Sequence, residues 1–209
     1  MHHMTLPTNN TLSKEEAIDQ HDPNGVGIRG NLFGFPFTPE NAAVVLVPIP
    51  WEVTVSFNTG TALAPTTILE ASAQVDAYVP AIQDAWKLGI SMLPVPDAIK
   101  NENDRTRQLA SFQLARVERG EIISEDDPLA QKINEACENL NVYVHAVTTK
   151  LLAAGKLVGV LGGDHSTPLG FLRALGDRHK QFGILQIDAH ADLRRAYEGF
   201  TYSHGSIMY

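Results

Sequence analysis

The chain has 209 residues, 44% hydrophobic and 19% charged, which is the composition of one globular domain and too apolar for a disordered segment. Sixteen Lys and Arg against 24 Asp and Glu give a net charge of -8, which argues against a general nucleic-acid or anionic-membrane surface. A single cysteine, Cys137, leaves no internal disulfide framework and fits a reducing compartment. The longest apolar stretches, near 44–47 and 157–161, fall far short of the ~20 residues that span a bilayer. The opening MHHMTLPTNN carries no basic stretch followed by an apolar run. A cytoplasmic protein with no membrane and no nucleic-acid partner is expected.

Residues 1–41, rich in Asn, Pro and Gly, are expected to form an N-terminal arm ahead of an α/β domain over 42–209. Two strand-like stretches, Gly25-Val26-Gly27-Ile28 and Phe33-Gly34-Phe35-Pro36-Phe37, interrupt that arm. The β-branched run Ala42-Ala43-Val44-Val45-Leu46-Val47-Pro48 predicts a strand buried on both faces, as in a parallel sheet. A loop over 50–64 follows, and Pro65 suits the first turn of a helix through Ile68, Leu69 and Val75. A short strand is expected over 88–93, and a solvated helix over 105–118. Asp127-Pro128 reads as an N-cap with Pro at the first helical position. Ile133, Cys137, Leu140, Val144, Val147 and Leu151 then recur at helical spacing until Gly155. Residues 156–163 predict another buried strand and 168–179 a short helix. Phe182-Gly183-Ile184-Leu185-Gln186-Ile187 predicts a third clear strand, running into Asp188. Strands alternating with helices mean an α/β fold with a mostly parallel sheet, whose ligands collect at the carboxyl ends of the strands.

Two strand ends carry polar clusters: Gly162-Gly163-Asp164-His165-Ser166 and Asp188-Ala189-His190-Ala191-Asp192. In an extended segment alternate residues share a face, so Asp188, His190 and Asp192 can point the same way. Two carboxylates and an imidazole on one face are expensive to bury without a cation. Gly162 and Gly163 let the neighbouring backbone turn sharply and present His165 at close range. Asp164 and Ser166 have the alternative of a simple cap. Mixed imidazole and carboxylate ligation suits Mn, Fe, Ni or Zn rather than Ca. Adjacent His165 and Ser166 cannot easily face each other as base and nucleophile, so metal-activated water is the favoured chemistry.

With Ser203-His204-Gly205-Ser206 following, these motifs stand in the order found in the ureohydrolase family of arginase, agmatinase and formimidoylglutamase, which the chain resembles. Gly60 and Pro65 also look like the family's G-x-x-x-x-P element. The resemblance implies a three-layer αβα, arginase-like fold and a dinuclear Mn site with bridging hydroxide, Ni, Fe or Zn being alternatives. It implies that His165 ligates one Mn and His190 the other, with Asp188 and Asp192 inside the cluster and at least one of them bridging. Asp192 and His204 are the implied catalytic residues, His204 through proton transfer or substrate positioning. The implied partners are a small guanidino substrate and further copies of the chain, as a trimer or hexamer. Leu193-Arg194-Arg195-Ala196-Tyr197-Glu198-Gly199, then Tyr202-Ser203-His204, resembles the agmatinase branch most.

One departure stands out. The family's later Asp-x-Asp motif has no counterpart, and after Asp192 the only acidic residue is Glu198. The chain is therefore expected to be the N-terminal part of a longer ureohydrolase, its fold truncated at the C-terminus. The expected function is agmatinase-like hydrolysis of a guanidino C–N bond, releasing urea. Arginase, formimidoylglutamase, another guanidino-acid or guanidine hydrolase, a catalytically incomplete metal-binding fragment and a single-zinc deacylase are the alternatives.

Overall fold

In a computed structural model that describes residues 12–124 and 126–209, three strands form one parallel sheet. They are β1 (Val44–Ile49), β2 (Ile90–Met92) and β3 (Leu157–Gly162), in the order β2-β1-β3. Val44 pairs with both Ile90 and Leu157, and Ile49 pairs with Gly162. Because β1 and β3 run the same way in register, their carboxyl ends lie side by side. That shared edge carries the polar clusters.

Among the described residues five α-helices accompany the sheet: α1 (Lys14–Asp19), α2 (Ala64–Ser72), α3 (Asp97–Glu118), α4 (Pro128–Ala153) and α5 (Leu169–Arg178). The sequence explains α4 locally. Asp127 caps it, accepting from the N–H groups of Leu129 and Ala130 at 3.0 and 3.1 Å, and Pro128 occupies the first position, where no N–H is needed. Gly155 ends the helix at a φ of +74°, a left-handed conformation that glycine adopts without strain. The buried residues Ile133, Cys137, Leu140, Val144 and Thr148 follow at intervals of three and four, one face of the helix. The first four of these meet Val47, Ile49, Trp51 and Val53 of the β1 region and Phe200 in the main core cluster. A Cβ on Gly170 would stand 2.3 Å from the Asn141 carbonyl oxygen, so α5 lies hard against α4. A second cluster joins Ala17, Phe35, Phe37 and Trp86 to Ala42 and Val45.

Several expectations are refined. The solvated helix begins at Asp97 rather than 105, and the strand over 88–93 shortens to Ile90–Met92. The stretches at 25–28 and 33–37 are not strands: Leu32–Gly34 is a 3-10 turn with Phe33 at a φ of +58°. The largest difference is 182–187, expected as a strand and found without any ladder, its Leu185 and Ile187 86% and 92% exposed. Its apolar pattern is strand-like, but a strand exists only where a neighbour takes up its backbone hydrogen bonds, and no described strand pairs with it. Among the described residues no helix is long and apolar enough to cross a membrane.

Phe200 is fully buried in the main cluster, although it lies in a loop beyond every strand. Phe200→Ala is expected to lower the stability of the fold by about 3–5 kcal/mol, the usual result of emptying an aromatic core site. Val142→Ala, at a position 58% exposed on α4, should change it by less than about 0.5 kcal/mol. Urea unfolding of the two variants checks the contrast.

Candidate metal centre

The pairing of β1 with β3 continues past both strands. Gly163 N–H donates to the Ile49 carbonyl at 3.1 Å, and Asp164 N–H donates to the Trp51 carbonyl at 2.9 Å. At Gly163 the backbones are so close that a Cβ would fall 1.7 Å from the Trp51 carbonyl oxygen, so only glycine fits. The next two side chains go to different environments. Asp164 is buried: its Oδ1 accepts from the backbone N–H and hydroxyl of Ser166, and its Oδ2 accepts from the Thr54 hydroxyl at 3.2 Å. Burial pushes its carboxyl above the ordinary aspartate value, against the pull of Ser166, His204 and Thr54.

His165 faces a shallow cleft of about 370 Å³ lined also by Val160, Thr167, Pro168 and Asp188. Its Nδ1 lies 2.6 Å from Asp192 Oδ2 and 3.3 Å from Asp188 Oδ2. One ligand atom from each of His165, Asp188 and Asp192 falls within 4.8 Å of the other two. The His190 N–H, 2.9 Å from Asp188 Oδ1, is the main reason that the Asp188 carboxyl lies below the usual range; the nearby His165 and His190 rings add to it. One imidazole and two carboxylates, close together and open on one side, make a donor set that fits a divalent cation of the Mn, Fe, Ni or Zn class.

His190 stands apart from this group. Its ring is 82% exposed, with Nδ1 3.8 Å from Asp188 Oδ1. The shared face expected for Asp188, His190 and Asp192 requires an extended segment, and 188–190 is instead a bend. The N–H of His190 turns back onto the Asp188 side chain, and Asp192 takes a φ of +50°. Asp188 thus turns one oxygen toward each histidine.

His204 lies in the loop after Phe200. Its N–H donates to the Thr54 hydroxyl at 3.3 Å, and its ring meets that of Tyr197 edge-on, with centroids 5.5 Å apart and planes at 89°. It is not part of the three-residue group. Two residues that the strand-end reading passed over also shape this edge. Glu52, buried beyond β1, accepts with Oε2 from the N–H groups of Gly60 and Ala62 at 2.6 and 3.1 Å, which folds the loop leading to α2. Its own N–H donates to Asn103 Oδ1 on α3 at 2.7 Å. Glu52 stands three residues beyond the apolar strand, a position that could have flagged it; the contact with Asn103 leaves no trace in the sequence.

Comparison with known proteins bears on this arrangement. A family model described as the Arginase family matches residues 42–209. The N(1)-aminopropylagmatine ureohydrolase of Synechocystis sp. is 30% identical over 172 residues, 80% of this chain and 46% of that protein. An agmatinase of Bacillus anthracis is 27% identical over 167 residues, again 80% and 46%. The agmatine ureohydrolase of Thermoplasma volcanium shares the fold, with a TM-score of 0.56 at 22% identity over 92% of this chain and 51% of that one. The chain spans about half the length of the curated relatives it matches.

The raised Asp164 carboxyl has a measurable consequence. A carboxyl whose value is higher in the fold than in the unfolded chain destabilises the fold once ionised, and the effect vanishes as pH falls below the ordinary carboxylate range. Asp164→Asn retains an acceptor for Ser166 and is expected to melt higher than the wild type at pH 8, the difference shrinking toward pH 4. Thermal melts of the metal-free proteins across that range check the sign.

Proposed function

Because the chain belongs to the Arginase family through residues 42–209, we propose that it serves the hydrolysis of a guanidino C–N bond in an agmatine-type substrate, releasing urea. The observation that carries this reading is the convergence of His165, Asp188 and Asp192 at the carboxyl edge of the sheet. We assign these three residues to one Mn ion. Asp188, with Oδ1 toward His190, would bridge to a second ion on which His190 is a ligand. Bound divalent cations acidify water and so supply, at neutral pH, a nucleophile strong enough for a guanidinium carbon.

The rest of the chemistry is assigned to the chain's own groups. His165 Nδ1 and Asp192 Oδ2 face each other at the cleft, 2.6 Å apart, where both would turn toward a bound cation. The His190 N–H holds Asp188 ionised and turned toward the cleft. Thr54 links the buried Asp164 to the backbone of His204, tying the 203–206 loop to the end of β3. His204 is assigned to proton delivery to the leaving amine, a step for which an imidazole is well suited near neutral pH. The names of the relatives, acting on agmatine and aminopropylagmatine, support a substrate with a guanidino group on a cationic alkyl tail. They favour the agmatinase branch over the arginase and formimidoylglutamase alternatives.

Urea release from agmatine, aminopropylagmatine, arginine, guanidinobutyrate and formimidoylglutamate by the Mn-loaded protein tests the substrate class, and preference for an amino acid would overturn it. Asp192→Asn should lose metal affinity and recover part of its turnover in excess Mn. His204→Asn should keep its metal and lose about 10²–10⁴-fold in turnover, the contribution of a positioned acid or base. Loss of metal from His204→Asn, measured beside turnover, would make His204 a ligand instead.

A further inference from the structure

The loop between Asp192 and His204 contains a tightly built turn. Tyr197 N–H donates to the Phe200 carbonyl at 3.0 Å and Phe200 N–H to the Tyr197 carbonyl at 2.8 Å, closing a two-residue hairpin. Its central residues, Glu198 and Gly199, have φ values of +57° and +82°. Two successive positive values mark a mirror-image hairpin turn, which ordinarily takes Asn-Gly or Asp-Gly. A glutamate at the first of them is strained, yet the turn is clamped from several sides. Gln113 Nε2 of α3 donates to the Glu198 carbonyl at 2.8 Å, and Asn134 Nδ2 of α4 donates to the Gly199 carbonyl at 3.3 Å. A Cβ on Gly199 would stand 2.6 Å from the Ile123 side chain. Phe200 anchors the turn in the core.

The clamp leaves Glu198 Oε2 buried and without a hydrogen-bond partner, and the same is true of His204 Nδ1. One is an acceptor; the other is a ring nitrogen able to carry a proton. Tyr197 connects them, its ring edge-on to His204 and its hydroxyl acting on the Glu198 carboxyl. Burial raises that carboxyl above the ordinary glutamate value; His204, Tyr197 and Arg194 oppose the rise, and Glu118 of α3 adds to it. The other charged neighbours are Arg107 of α3, set among Glu52, Asp164 and Glu198, and Asp164 beyond β3.

We propose that Glu198 is a positioning residue for His204: the two buried, unpartnered atoms pair in the working enzyme, Nδ1–H donating to Glu198 Oε2, so that Nε2 is the ring nitrogen presented to substrate. A buried acceptor on one imidazole nitrogen fixes both the tautomer and the plane of the ring. The inference rests on the reading of His204 as the proton-handling group, and it explains why a glutamate occupies a turn position suited to Asn or Asp.

The test is ¹⁵N spectroscopy of the histidine-labelled protein at alkaline pH, with the His204 signal assigned by its absence in His204→Asn. The expected wild-type tautomer is Nδ1–H. Glu198→Met, which keeps length and removes the acceptor, should shift His204 toward Nε2–H and lower turnover about 10²-fold, with KM and bound metal unchanged. Glu198→Gln, which keeps an acceptor oxygen, should restore most of both. A wild-type His204 protonated on Nε2 would overturn the proposal even if Glu198→Met fails to fold. An unshifted tautomer in a folded Glu198→Met would also overturn it and return Glu198 to a pairing with Arg107. Absence of urea release from every guanidino compound would instead overturn the hydrolase reading, leaving the tautomer to judge Glu198.

Discussion

The contact on which the site depends is the approach of Gly163 to Trp51, where the pairing of β1 and β3 outlasts the strands themselves. Two backbone hydrogen bonds, to the carbonyls of Ile49 and Trp51, carry the sheet pattern through Gly163 and Asp164. With no room for a Cβ at Gly163, the chain must leave the sheet edge in one way. Asp164 is thereby buried, while His165 is left half-buried in the cleft that both residues line. The interior branch runs through Thr54 to the backbone of His204, and the open branch runs to Asp188 and Asp192. A change at one glycine would therefore reach both branches.

Asp164 and Asp188 show how environment separates two side chains of the same kind. Asp164 is buried, and desolvation outweighs the donors of Ser166 and Thr54, so its carboxyl moves up. Asp188 sits at the surface, where the His190 N–H and two nearby rings outweigh desolvation, so its carboxyl moves down. A group held as an anion beside an imidazole and a second carboxylate is suited to a cation; a buried group satisfied by hydroxyls is suited to holding a loop. The two aspartates at this edge are thus divided between an exposed, ionised position and a buried, hydrogen-bonded one.

Legibility follows the range of the interactions involved. The helix α4 was readable because its cap, its first proline, its apolar face and its terminating glycine are all local signals. The strands β1 and β3 were readable because short, Val-containing apolar runs need no knowledge of their neighbours. The segment 182–187 was misread for the converse reason: its composition is strand-like, but strand formation depends on a partner elsewhere in the chain. His165, Asp188 and Asp192, singled out by their places at apolar segment ends, do come together in the structure, whereas the displacement of His190 came from a backbone bend that alternation could not foresee. Glu52 and Glu198 were hidden differently. The contact of Glu52 with Asn103 spans 51 positions, and the Tyr197–Phe200 turn lacks the Asn-Gly or Asp-Gly signature that would announce it.

The segment from Asp192 to Met208 is one closed unit, which fixes Asp192 and His204 relative to each other. Met208 N–H donates to the Asp192 carbonyl at 3.0 Å, and Arg194 N–H donates to the Gly205 carbonyl at 3.3 Å, so the two arms of the loop are tied near their ends. Its far end is pinned by Phe200 in the core, by Gln113 and by Asn134, which also accepts from the Thr201 N–H at 2.8 Å. Asp192 is carried on one arm, against His165, and His204 on the other, against Tyr197. The run that precedes Asp188 offers no such anchorage, since Leu185 and Ile187 lie in solvent without a ladder. The position of Asp192 is therefore set from behind, by the closed loop and its aromatic anchor. The relative placement of Asp192 and His204 is a property of that loop, and packing at Phe200 contributes to both.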